Sequence, residues 1–82
     1  MYVFTDEREI VNLDKFDGVG VYNCRVRGED KKVVAATLPD NKSVRLAVFD
    51  DEKEARLMLQ DIFTALDNRK HVFYIGSYIM PF

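Results

Sequence analysis

The chain has one cysteine, one histidine, two prolines and four glycines in 82 residues. A lone cysteine, Cys24, leaves no internal disulfide, so the fold must rest on its core, and a reducing, cytoplasmic compartment is expected. Nucleophilic catalysis needs a nucleophile and a base in one place, and one Cys with one His offers little material for it. The zinc spacings, the P-loop and the G-x-G-x-x-G fingerprint are missing, and Gly18-Val19-Gly20 reads as a turn followed by a close-packed strand. No apolar run approaches the ~18 residues of a membrane span. The opening MYVFTDERE lacks the basic flank and apolar stretch of a secretion signal. The charge balance is -2 with a pI near 5.3, too acidic to hold nucleic acid by bulk electrostatics and too mild for a DNA mimic coated in carboxylates.

What is present describes a foldable globule. A hydrophobic fraction of 48% with 32% charged residues is ordinary for a folded protein, and 82 residues leave room for one domain, 1–82, with one small core.

The clearest pattern is DEKEARLMLQDIFTALDN, residues 51–68. Ala55, Met58, Leu59, Ile62, Phe63, Ala65 and Leu66 recur at the spacing of one helical stripe, which must be buried. Asp51 and Glu54 form a capping-box pattern, and acids at the start with Arg69 and Lys70 at the end match the helix dipole. A helix of this length is marginal alone, so the rest of the chain should supply the surface it lies on.

That surface reads as strands. Tyr2–Phe4 and EIVNL (9–13) predict two brief strands or one bent one, and Asn12, Asp14, Asp17 and Gly18 supply turn chemistry with Phe16 pinning the loop. Residues 19–27 alternate, with Gly20, Tyr22, Cys24 and Val26 expected inward and Val21, Asn23, Arg25 and Arg27 outward. A turn at Gly28–Lys31 and a return strand at 32–38 make a hairpin. Pro39–Lys42 is a second turn in which Asn41 tolerates the left-handed conformation. The next strand, 44–49, is expected to turn Val44, Leu46 and Val48 inward, with Arg45 and Ala47 outward. HVFYIGSYI (71–79) is the last strand. The sum is an α+β domain: a curved antiparallel sheet of about five or six short strands, one helix on one face, then a final strand.

Cys24 on an inward face reads as a small hydrophobe, and His71 as a solvated or capping residue. The acids Asp50, Asp51, Glu52 and Glu54 lack calcium-loop spacing and are explained by capping, so neither a metal nor a cofactor is expected. Two surfaces stand out. Arg25, Arg27 and Arg45, interleaved with Val21, Val33, Ala35 and Ala47, are expected on one outer sheet face, where the alternative is ordinary solvation. Leu57 lies opposite the helix stripe and marks a contact or a dimer seam. Tyr2, Tyr22, Tyr74, Tyr78, Phe73 and Phe82 are more aromatic surface than so small a core readily encloses, and they either pack at the sheet ends or stay exposed for binding.

The early EIVNLD, the hairpins, Phe49-Asp50-Asp51-Glu52-Lys53-Glu54-Ala55 leading to Leu59 and Ile62, and a tyrosine-bearing last strand ending Met80-Pro81 resemble small proteins encoded by phages and prophages of Gram-positive bacteria. The resemblance covers almost the whole chain but rests on structural signals. It implies a pleckstrin-homology-like sheet and helix and action by binding a host component, defence systems included, but no established activity, so no site residue is carried over from it. The expectation is therefore a non-enzymatic module docking stoichiometrically on a host protein through Arg25, Arg27, Arg45 or Leu57, with pairing of sheet edges into a homodimer. The alternatives are a binder of a nucleotide-like phosphate ligand and a structural subunit of a phage assembly.

Overall fold

The computed structural model describes residues 1–75. In chain order they form β1 (Tyr2–Phe4), β2 (Ile10–Asn12), a 3-10 turn (Leu13–Lys15), β3 (Gly18–Val26), β4 (Glu29–Thr37), β5 (Ser43–Phe49), α1 (Glu52–Asp67) and β6 (Val72–Tyr74). The fold is α+β, with six strands and one helix as the sequence leads one to expect. The strands divide into two three-stranded sheets, ordered β2-β1-β6 and β3-β4-β5.

The helix forms where its periodicity places it. The Asp51 carboxylate accepts from the Lys53 N–H at 3.0 Å, satisfying one donor that the first turn leaves unpaired. At the other end the Lys70 N–H reaches the Ala65 carbonyl at 2.9 Å and the Arg69 N–H reaches Leu66 at 3.0 Å. This is a Schellman closure, made here with Arg69 at a positive φ of 56° in place of glycine. Ala55, Met58 and Ile62 are fully buried, and burying Met58 and Ile62 contributes on the order of 3–6 kcal/mol. Phe63 and Leu66, expected in the same stripe, stand in water at 69% and 44% exposure, because the sheet beneath covers only part of the helix's apolar arc.

β3, β4 and β5 make the expected antiparallel meander, with two shifts of phase. The first turn is Arg27–Gly28, earlier than Gly28–Lys31: both residues take positive φ, 53° and 82°, and Val26 pairs directly with Glu29. A two-residue turn of this kind matches the right-handed twist of the strands, so Glu29 and Asp30 join the ladder. In β5, Val34 pairs with Ala47 while Ala35 pairs with Arg45, leaving Leu46 as an extra residue. This bulge sends Leu46, Ala47 and Phe49 into the core and puts Val48 on the outer face with Arg45, reversing the expected positions of Ala47 and Val48.

The faces of β3 are also the reverse of the expectation. Val19 and Val21 pack against the core, opposite Ala36 and Val34, while Tyr22 and Cys24 are exposed on the other face. Alternation defines two faces without naming the inner one. The valines win because Val34, Ala36 and Ala47 continue their row beneath the helix, whereas Gly20 has no side chain to bury. The thiol of Cys24 is therefore a surface group.

β1 and β2 form a hairpin closed by Asp6, Glu7 and Arg8, with Arg8 at φ 63° and the Thr5 N–H bonded to the Glu9 carbonyl at 2.8 Å. The buried Thr5 hydroxyl holds this loop by accepting from the N–H groups of Glu7 and Glu9. β6 lies parallel to β1, pairing Val3 with Phe73. The expected strand 71–79 is therefore described for Val72–Tyr74, and positions 76–79 lie outside the described residues. Val3, Leu13, Phe73 and Ile75 meet Met58, Ile62 and the inner row of the meander in one core, with Phe16 pinned against it.

Candidate functional site

Side chains alternate across the sheet β2-β1-β6. Val3, Val11 and Phe73 go in, which turns Tyr2, Phe4, Ile10, Asn12, Val72 and Tyr74 to the opposite face. The cross-strand register sets Phe4 between Ile10 and Tyr74, and Tyr2 between Asn12 and Val72. The Phe4 and Tyr74 rings lie 6.2 Å apart at 43°, a favourable tilted pair. Ile10 is 70% exposed, Tyr74 64% and Tyr2 52%. With each aromatic carrying ~200 Å², this leaves a few hundred Å² of contiguous apolar surface in water, the size at which such patches mark interaction sites. Tyr2 and Tyr74 belong to the aromatic surplus noted in the sequence. Ile10 was not visible there, since three residues of β2 are too few to display an alternation. Tyr78 and Phe82 lie outside the described residues.

The three arginines do not share a face. Arg25 follows Val21 and Asn23 on the helix side of the sheet and pairs with Asp30 at 3.5 Å. Arg27 occupies the turn. Arg45 is on the outer face, its guanidinium 3.3 Å from Asp6 and 3.5 Å from Glu7. Arg27 and Arg45 do meet in an outer hollow of about 530 Å³ lined also by Glu7, Val26, Glu29, Lys31 and Val48. Its cations are largely compensated: Asp50 and then Glu29 hold Lys31 and raise its pKa, and Asp6 and Glu7 hold Arg45. Only Arg27 of these bases has no acidic partner among the described residues. Loss of hydration raises the Asp6 pKa above its ordinary value, although the adjacent Arg45 opposes the shift. Such a hollow offers a phosphate little uncompensated charge.

Leu57 is half exposed on α1, as its position opposite the stripe predicts, in a shallow hollow with Asp51, Glu52, Lys53, Arg56 and Gln60. His71 is exposed beyond the helix end, and its carbonyl accepts from the Tyr2 N–H at 2.8 Å. A third hollow, about 590 Å³, opens between α1 and the start of β3. Leu13, Phe16, Val19, Leu59, Ile62, Phe63 and Leu66 give it an apolar lining, with Asp14, Asp17, Arg56 and Gln60 among the remaining lining residues. This groove is the uncovered part of the helix stripe.

Among the described residues no group of three or more His, Cys, Asp or Glu side chains could hold a metal ion, and no helix is long and apolar enough to cross a membrane. Comparison with models of known protein families, with curated proteins and with solved structures finds no match.

Proposed function

We propose that this chain is a non-enzymatic docking module that binds a protein partner stoichiometrically through the outer face of the β2-β1-β6 sheet. The supporting observation is that face itself: Tyr2, Phe4, Ile10, Val72 and Tyr74 gathered on one side of strands whose other side is the core. Tyrosine, phenylalanine and isoleucine contribute large contact area for little lost freedom, and aromatic residues are enriched at the centres of protein interfaces. A small ligand needs a concavity that encloses it, which an open sheet face does not supply. A net charge of -2 disfavours nucleic acid and anionic lipid surfaces. A protein surface remains the occupant that suits it. The resemblance to small phage-encoded proteins directs the search to host proteins, defence systems among them.

The test is affinity capture from bacterial lysate with the tagged protein beside Ile10→Asp and Leu57→Asp variants, read by mass spectrometry. Both positions are exposed, so both variants should fold. A protein retained by the wild type and by Leu57→Asp but lost with Ile10→Asp supports the assignment. Equal retention by all three, or loss with Leu57→Asp alone, removes it.

A further inference from the structure

We propose that two copies of this chain join antiparallel through β3 into a continuous six-stranded sheet, with Arg25 of each copy covering the apolar groove of the other. Strand order makes β3 an edge, and among the described residues only β4 pairs with it. Proteins blunt exposed edges with short strands, proline, lysine or bulges. β3 has none of these: it runs nine residues, GVGVYNCRV, in unbroken register with β4 and carries one charge. The opposite edge, β5, is protected by its bulge at Leu46 and by the Asp6 N–H bonding to the Leu46 carbonyl at 3.0 Å.

The strand is complementary to itself. Its middle residue is Tyr22, and a two-fold axis there sets Gly18 opposite Val26 of the partner copy. The same register places Val19 opposite Arg25 of the partner copy. A two-fold normal to the sheet keeps both helices on one face, so that arginine arrives beside the groove that Val19 lines, with Asp14, Asp17 and the exposed Phe63 ring around it. Directly opposed residues have Cβ atoms about 5 Å apart, within reach for an aliphatic stem over the apolar lining and a guanidinium on carboxylate or ring.

The size is sufficient. A nine-residue edge is about 30 Å long, and one sheet plus one helix layer is about 20 Å deep, giving roughly 600 Å² per copy. That approaches the ~800 Å² per partner of a standard interface. The dimer leaves the β2-β1-β6 faces free and presents two of them, so this inference does not depend on the docking proposal.

Sedimentation equilibrium from low to high micromolar concentration tests it. The wild type should be a dimer at the upper end. Arg25→Asp, which sets a carboxylate beside Asp14 and Asp17 of the partner copy at each end, should weaken the dimer about tenfold. Combining it with Asp17→Arg should restore wild-type association within about threefold. Tyr22→Cys in a Cys24→Ser background should cross-link under mild oxidation. Wild-type Cys24, opposite Gly20 of the partner copy and about 13 Å along the strand from its own counterpart, should not. A monomer at high micromolar concentration, a dimer indifferent to the charge swap, or open-ended oligomers would each overturn the proposal. Circular dichroism of the variants separates these outcomes from misfolding.

Discussion

Adjacent residues on α1 give the sharpest test of how the helix is seated. Ile62 and Phe63 both belong to the apolar stripe, yet Ile62 is 1% exposed and Phe63 69%. Ile62→Ala deletes buried methyl and methylene groups in a site walled by a helix and two sheets, with little room to collapse. It should cost about 2–5 kcal/mol. Phe63→Ala removes a larger side chain, but only about a third of its ~200 Å² is covered, so the loss should not exceed ~1.5 kcal/mol at about 25 cal/mol per Å². Whole-domain stability at this length is about 4–12 kcal/mol, and each kcal/mol moves Tm by about 4–8 °C. Ile62→Ala should therefore lower Tm by about 8 °C or more, and Phe63→Ala by at most about 12 °C and by less than Ile62→Ala. Thermal unfolding followed by circular dichroism at low micromolar concentration, where dimerisation contributes little, provides the measurement. Equal losses, or a larger loss for Phe63→Ala, would mean that the helix is rotated from the orientation described.

Four further outcomes follow from local geometry. Asp51→Ala removes the N-cap acceptor of Lys53 and should cost about 1 kcal/mol in urea unfolding. Arg69→Gly relieves the left-handed residue that closes the helix and should stabilise by about 0.5–1 kcal/mol in the same assay. Gly28→Ala puts a side chain at φ 82° and should cost about 1–2 kcal/mol, whereas Arg27→Asn creates the Asn-Gly pair that this turn favours and should not destabilise. Burial raises the Asp6 pKa, so the folded state holds this proton more tightly than the unfolded chain, and the contribution of Asp6 to stability falls as pH rises through that raised value. Asp6→Asn imitates the protonated form. It should be at least as stable as the wild type at pH 7, with the difference vanishing as pH falls below the unfolded value near 3.8. Urea unfolding at several pH values shows this, and a clear loss at pH 7 contradicts it.

The helix and its cap were legible because 3.6-residue spacing and an Asp at the boundary are local signals. The meander was legible because each hairpin joins neighbours in sequence, and Asn41 takes φ 69° as its turn requires. What failed was phase. An alternating strand looks the same whichever face is buried, so the pattern that puts Cys24 inside equally allows Val19 and Val21 there. A single bulge at Leu46 then exchanged Ala47 and Val48. These two slips dispersed the arginine face: Arg25 and Arg45, on one side by simple alternation, lie on opposite sides of the sheet. The exposure of Phe63 and Leu66 depends on how far the sheet reaches beneath the helix, which helix periodicity does not carry. The parallel pairing of β1 with β6 joins opposite ends of the described chain, and that long-range contact assembles the aromatic face around Ile10.

Calorimetric titration of the captured partner, once purified, tests docking through the β2-β1-β6 face most directly. One partner bound per protomer, at least tenfold weaker with Ile10→Asp and unchanged with Leu57→Asp or Arg25→Glu, is the predicted result. A partner whose affinity is indifferent to Ile10→Asp and lost with Leu57→Asp or Arg25→Glu would place the docking surface elsewhere and contradict the account.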